Sequence, residues 1–280
     1  MSGLIINDNL TAIDAYNNLD ATSSMLSQAV GELSSGLQIN TAADNPSGYV
    51  SGELLQAESN GYGQAINNAQ TAVSVLQTAQ GALNQEASVL QAMNTLATAA
   101  ANGGSQDAGT LAAGQAEFAS LQAELDQIAG STTYGTTPLL GGTYSGETFQ
   151  VGPYASANDE VVVTIAASTS TSLAVNAAAV SIGTVAAAEA AMTAVQTAIS
   201  TVAGNAASVG ASQNAIQALA SNLTTAQQNI QSAHANLVDV NVAQETSAFT
   251  SDQILEQSGV SVLAQAEQLP NLAEKLLQSM

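Results

Sequence analysis

The chain has no cysteine and no tryptophan, a single lysine, no arginine and a single histidine. Without cysteine there is no disulfide, no thiol nucleophile and no thiolate metal site. With His234 as its only imidazole, the usual zinc motifs and catalytic triads are excluded. Aromatic residues make up 3% of the 280 positions, too few to fill a thick globular core; long, thin helical packing suits the composition better. The single cation, Lys275, stands against 22 acidic residues for a formal charge of −21. That removes the basic patch needed to neutralise nucleic-acid phosphates, and with it a basic amphipathic membrane anchor.

Other absences concern targeting. Residues 1–8 carry no positive charge and no apolar run of signal-peptide length, so export without a cleaved leader is expected. The most apolar window, 173–195, is mostly alanine and is interrupted by Asn176, Ser181, Thr184 and Glu189. It makes a poor membrane span, and no membrane insertion is expected.

What the chain does have is heptad spacing. Ile216, Leu219, Leu223, Ala226, Ile230, Ala233, Leu237 and Val240 follow alternating steps of three and four, the seam of a helix that packs on another helix. Ala248, Leu255, Gly259, Val262, Ala266 and Leu269 continue as a second seam, one residue out of phase. At the other end, Leu19, Leu26 and Leu33 recur every seven residues, so the two ends of the chain are expected to pair. Asp8 or Asn9 suits the cap of that first helix, and Pro46, capped by Asn45, suits the first turn of the next. Gly61 and Gly63 are expected to loosen this second helix, which continues through Leu76, Leu83 and Leu90 to a stop at Asn102-Gly103-Gly104. A third holds Leu111, Phe118, Leu121, Leu125 and Ile128 and ends at Gly130. The β-branched runs and turns of 131–165 predict one or two hairpins. Residues 166–184, rich in Ala, Ser and Thr, predict a loop with a short helix. A long helix from Val185 to about Leu237 is expected to soften at Gly204 and Gly210. The fold class is mainly α: a long helical coiled-coil bundle with a small β-hairpin region.

Several motifs carry a family resemblance. Leu33-Ser34-Ser35-Gly36-Leu37-Gln38-Ile39-Asn40-Thr41-Ala42-Ala43-Asp44-Asn45-Pro46-Ser47-Gly48 resembles the signature of bacterial flagellin, where an arginine usually stands at Gln38. Gln80-Gly81-Ala82-Leu83-Asn84, the stretch from Tyr134 to Gly152, Val209-Gly210-Ala211-Ser212-Gln213-Asn214 and Ser261-Val262-Leu263-Ala264-Gln265-Ala266 follow in the same order as in that family.

The resemblance implies a structural subunit that polymerises into an extracellular helical filament for swimming. It has no catalytic, cofactor or metal site. Residues 1–45 and 236–280 would form an inner coiled coil lining the filament channel, with Leu19, Leu26, Leu33, Leu37, Leu255, Val262 and Leu269 at subunit interfaces. Residues 46–235 would form an outer bundle packed through Leu76, Leu83, Leu90, Leu121, Leu125, Leu223, Ile230 and Leu237. It would carry the 131–165 hairpins and a short variable segment, 166–184, in place of the large outer insertions of many flagellins. Partners would be many copies of the same chain, with an export chaperone, cap and hook-associated proteins, and export would use the flagellum's own type III channel. A hook–filament junction protein is the alternative, less favoured by the matches at 209–214 and 261–266. An enzyme displayed on a filament would need an inserted module for which 166–184 has no room.

Basic residues usual in the family are replaced by Gln38, Ala92, Asn94, Asn205 and Ala215. The stretch from Leu90 through Ala92 to Leu96 matches a region that an innate immune receptor reads in some flagellins. With Ala92 where arginine is usual, weak recognition is expected. Below about pH 4 most carboxylates are protonated and the subunit is nearly neutral, which predicts a filament suited to acid. Glu117, Glu124 and Asp126 read as a solvated helix face, Gly141-Gly142 as a turn, and Lys275 as a complement to a helix dipole.

Overall fold

A computed structural model describes residues 9–104 and 106–278, with side chains described up to residue 268. Five helices dominate: α1 (Leu10–Ser35), α2 (Pro46–Ala100), α3 (Ala108–Ser131), α4 (Val185–Val238) and α5 (Val242–Gln278). Between α3 and α4 stand β1 (Thr133–Tyr134) with β2 (Thr137–Pro138), and β3 (Glu147–Gln150) with β4 (Glu160–Val163), two antiparallel hairpins. The chain divides into a unit made of residues 1–57 and 230–280 and a second made of 58–229.

Local chemistry sets the helix starts. The Asn9 side chain accepts from the Ala12 N–H at the head of α1, and Asn45 Oδ1 accepts from the Gly48 N–H at the head of α2, 2.9 Å away. Asp107 caps α3 through the Thr110 N–H at 2.7 Å, and that bond holds its carboxyl below the usual range. In α1, Gly36 closes the C-terminus in the left-handed region (φ 77°) and donates to Glu32 O.

The second unit is built on one continuous core. Leu76, Leu83, Leu90 and Met93 of α2, Phe118 and Leu125 of α3, and Val195, Val202 and Ile216 of α4 are buried in it together with Leu139, Leu140 and Ile165 of the hairpin region. Helix α2 runs unbroken for 55 residues and α4 for 54. The expected loosening at Gly61, Gly63, Gly204 and Gly210 does not occur. A glycine costs a helix about 1 kcal/mol, which flanking burial outweighs. Helix α4 is long and apolar enough to pass for a membrane span; within this unit one side of it, Ala188, Ala191, Val195, Val202, Val209 and Ile216, is buried in the core.

The segment 166–184 forms no helix and is not a peripheral loop. Leu173, Val175, Val180 and Ile182 are buried in the same core. The buried Gln122 donates from Nε2 to the carbonyls of Val175 (2.7 Å) and Val180 (3.3 Å). Gln115 Oε1 accepts from the Ile182 N–H at 2.6 Å. Asp126 is not simply a solvated acid: its carboxylate accepts from the Ser170 N–H and hydroxyl at 2.8 and 2.7 Å. Helix α3 thus ties this segment down with side-chain hydrogen bonds in addition to the apolar contact.

Candidate functional site

The candidate site is a surface, and the first unit presents it. In that unit α1 and α5 lie side by side. Asn9 Nδ2 donates to Ala266 O at 2.8 Å, Leu19 packs on Gly259, and Leu37 forms an antiparallel bridge with Asp239. The order of these contacts makes the pair antiparallel. A Cβ at Gly259 would come within 3.3 Å of Leu19 Cδ1, so the absence of a side chain lets the helices close there. The joint at the α4–α5 corner is sealed by Gln38 N–H to Val238 O (2.7 Å) and Val240 N–H to Gly36 O (3.0 Å).

The strip between the helices is narrow. On α1 it comprises Ala12, Ala15, Leu19, Thr22, Leu26, Ala29 and Leu33, buried or half-buried at alternating steps of three and four. On α5 the matching residues are Glu245, Phe249, Asp252, Glu256, Gly259, Leu263 and Ala266. Leu19, Leu26 and Leu33 therefore sit where heptad spacing puts them, half-buried, and Leu37 is half-buried just beyond the helix. The α5 seam splits instead. Gly259 and Ala266 face α1, whereas Ala248, Leu255 and Val262 point outward, with Leu255 52% and Val262 56% exposed. The Leu269 and Lys275 side chains lie outside the described residues. The α5 side of the strip is thus mixed, with Phe249 and Leu263 among small and acidic residues, and Leu255 and Val262 are left on its flank.

The result is an uncovered apolar face. Val242, Ile254, Leu255, Val260 and Val262 of α5, and Leu10, Ile13, Tyr16, Met25 and Val30 of α1, are each about half exposed or more. Shallow grooves run along α5 beside Val242, Thr246, Thr250 and Ile254, and beside Gln257 and Val260. Acid meets acid inside the strip: desolvation, then Glu32 and Asp252, push the Glu245 carboxyl upward. No group of acids and His fit to hold a metal ion occurs among the described residues.

Of the expected bundle positions, Leu76, Leu83, Leu90, Leu125 and Leu223 are buried in the second unit and Leu121 is half-buried there. Ile230 and Leu237, read from the sequence with that bundle, belong to the unit of the chain ends, and the unit boundaries fall at 57/58 and 229/230. Ala92 is exposed on α2 and Leu96 half-buried beside it.

Comparison with known proteins agrees with this anatomy. Residues 6–145 match the bacterial flagellin N-terminal helical region and 192–277 the C-terminal helical region. The chain is 32% identical to a flagellin of Halalkalibacterium halodurans over 98% of its own length and all of that protein's. It is 42% identical to a Clostridium tyrobutyricum flagellin over 51% of its length, spanning 38% of that longer protein. The crystal structure of Bacillus cereus flagellin superposes on 56% of the chain, with a TM-score of 0.50 and 26% identity, and 88% of that structure is covered. The chain belongs to the bacterial flagellin family, the structural subunits that polymerise into the extracellular flagellar filament.

Proposed function

We propose that the α1–α5 pair is the part of this filament subunit that locks onto neighbouring copies. One observation carries the proposal: Val242, Ile254, Leu255, Val260 and Val262 of α5 are each more than half exposed although α1 lies alongside. Each contributes about 1.5–3 kcal/mol when covered, a gain the monomer does not make. Isolated helices are marginal without tertiary burial, so the terminal helices gain their full order on docking, and assembly couples folding to binding. Residues 1–45 and 236–280 then make the inner layer around the channel and 46–235 the outer layer. A heterologous contact that does not close generates an open helix of many copies.

Export as an unfolded chain through the flagellar type III channel, with a dedicated chaperone, fits terminal helices that gain their full order on docking. Cap and hook-associated proteins are its expected neighbours at the filament tip and base. No enzymatic activity is assigned. No observation favours the hook–filament junction alternative. The test is electron microscopy of purified protein left to polymerise. Full-length chain forms long filaments, whereas chain truncated before residue 250 forms none while its 58–229 unit stays folded. Filaments from the truncated chain would refute the role given to α5.

A further inference from the structure

Glu86 is the anomaly of the second unit. It lies on α2 between the buried Leu83 and Leu90 and is itself 0% exposed. Neither of its carboxyl oxygens has a hydrogen-bond partner among the described residues. Beside it lies the Ser168 hydroxyl, also fully buried and also without a partner there. Ser168 stands in the irregular 166–184 segment and is held by its N–H to Leu140 O at 3.0 Å.

No counter-charge exists for this carboxyl. Residues 58–229 contain no lysine, arginine or histidine. Helix α2 has no other ionisable side chain between Tyr62 and Ala100, and residues 166–184 have none. Helix α3 offers the exposed Glu117, Glu124 and Asp126, the last engaged by Ser170, and α4, within this unit, offers only Glu189, also exposed. The hairpin region adds Tyr134, Tyr144, Glu147, Tyr154, Asp159 and Glu160. Every charge these groups carry is negative, so all act against ionisation of Glu86.

We propose that Glu86 and Ser168 form an acid-set latch, in which the neutral carboxyl closes the packing of α2 on the 166–184 segment and its ionisation loosens that joint. A neutral carboxyl and a hydroxyl satisfy each other, one donating and the other accepting. An ionised carboxylate takes one hydrogen bond from the serine and keeps a charged oxygen buried and unpaired, a costly state. Burial accordingly pushes the Glu86 carboxyl up to about 7, and Ser168 pulls it partly back. Because the folded value lies above the unfolded one, the contribution is fully present below the ordinary glutamate value and is lost as pH rises through the folded value. The 58–229 unit is therefore most stable in acid, with the loss falling between about pH 4.5 and 7.

The test is denaturant unfolding of the full-length monomer across pH 4.5–8 for wild type, Glu86→Gln and Glu124→Gln. Over that range the wild-type folding constant should fall about 100-fold more than that of Glu86→Gln. Glu124→Gln, which removes an exposed charge, should track wild type. Parallel curves for wild type and Glu86→Gln overturn the latch. Should Glu86→Gln not fold, carboxyl-carbon nuclear magnetic resonance of glutamate-labelled wild type gives the same answer. One carboxyl titrating near 7, and moving higher in Ser168→Ala, supports the latch. All glutamates titrating in the ordinary range, or a midpoint that Ser168→Ala leaves in place, overturns it.

Discussion

Asn9 and Ala266 stand 257 residues apart in sequence and are joined by a 2.8 Å hydrogen bond from the Asn9 amide to the Ala266 carbonyl. The same side chain caps α1 through Ala12, so one residue both starts the first helix and fixes the register of the last against it. Closure of this kind joins α1 and α5, which lie at opposite ends of the sequence.

Replacing Asn9 with alanine removes the cap and the cross-helix bond together. The expected cost is about 1–2 kcal/mol, felt in the terminal unit. Amide hydrogen exchange of monomer should show faster opening along α1 with protection in α2 and α3 unchanged; uniform loss of protection would contradict the division into two units.

Helical glycines divide by surroundings. A Cβ at Gly61 would meet Pro153 at 2.8 Å, a ring that cannot swing aside, whereas Gly204 and Gly210 have open space within 4 Å among the described residues. Alanine at Gly204 or Gly210 should stabilise the chain by about 1 kcal/mol through helix propensity. Alanine at Gly61 should destabilise it despite the same propensity gain. Thermal unfolding of the three variants reads the sign.

The terminal strip has its own pH dependence. Glu245 is pushed up by desolvation first, then by Glu32 and Asp252, so its contribution is present below the ordinary glutamate value and is lost as pH rises through the raised one. Asp44, held low by the Thr41 and Asn40 N–H groups, acts in the opposite sense. Glu245→Gln should flatten the loss of α1–α5 pairing as pH rises above the ordinary glutamate value. Filaments should persist at pH 3, where the subunits no longer repel one another strongly.

Ala92 is exposed on α2 and stands where the family usually presents arginine. A reporter assay for the flagellin-reading innate receptor should respond weakly to this chain and more strongly to Ala92→Arg, which restores a charge-assisted donor. Strong signalling by the unmodified chain would remove Ala92 from the explanation.

Much of the architecture was legible in the residues. Asn45-Pro46 marks the start of α2, Asn102-Gly103-Gly104 its end, and the β-branched run 160–163 the second hairpin strand. Family motifs identified the assembly class. Three features escaped, each for a physical reason. The expected α5 seam splits, because Gly259 and Ala266 line the side toward α1 while Leu255 and Val262 stay exposed; a period reports which residues share a face and not which partner covers it. Segment 166–184 read as low complexity, although Leu173 with Val175 and Val180 with Ile182, spaced by two, were the signal of its buried side. Glu86 sits three residues after Leu83 and four before Leu90, on the face that α2 buries, and that spacing is the one sequence signal of its burial.

The most direct measurement is the critical concentration for polymerisation of Leu255→Asn and Val262→Asn. Both side chains are more than half exposed in the monomer, so the variants should fold as the wild type does, with unchanged unfolding curves for the 58–229 unit. If neighbouring copies cover the outer flank of α5, each variant should raise the critical concentration at least about tenfold, as the loss of one covered aliphatic implies. Filaments forming at the wild-type concentration from both variants would contradict the account.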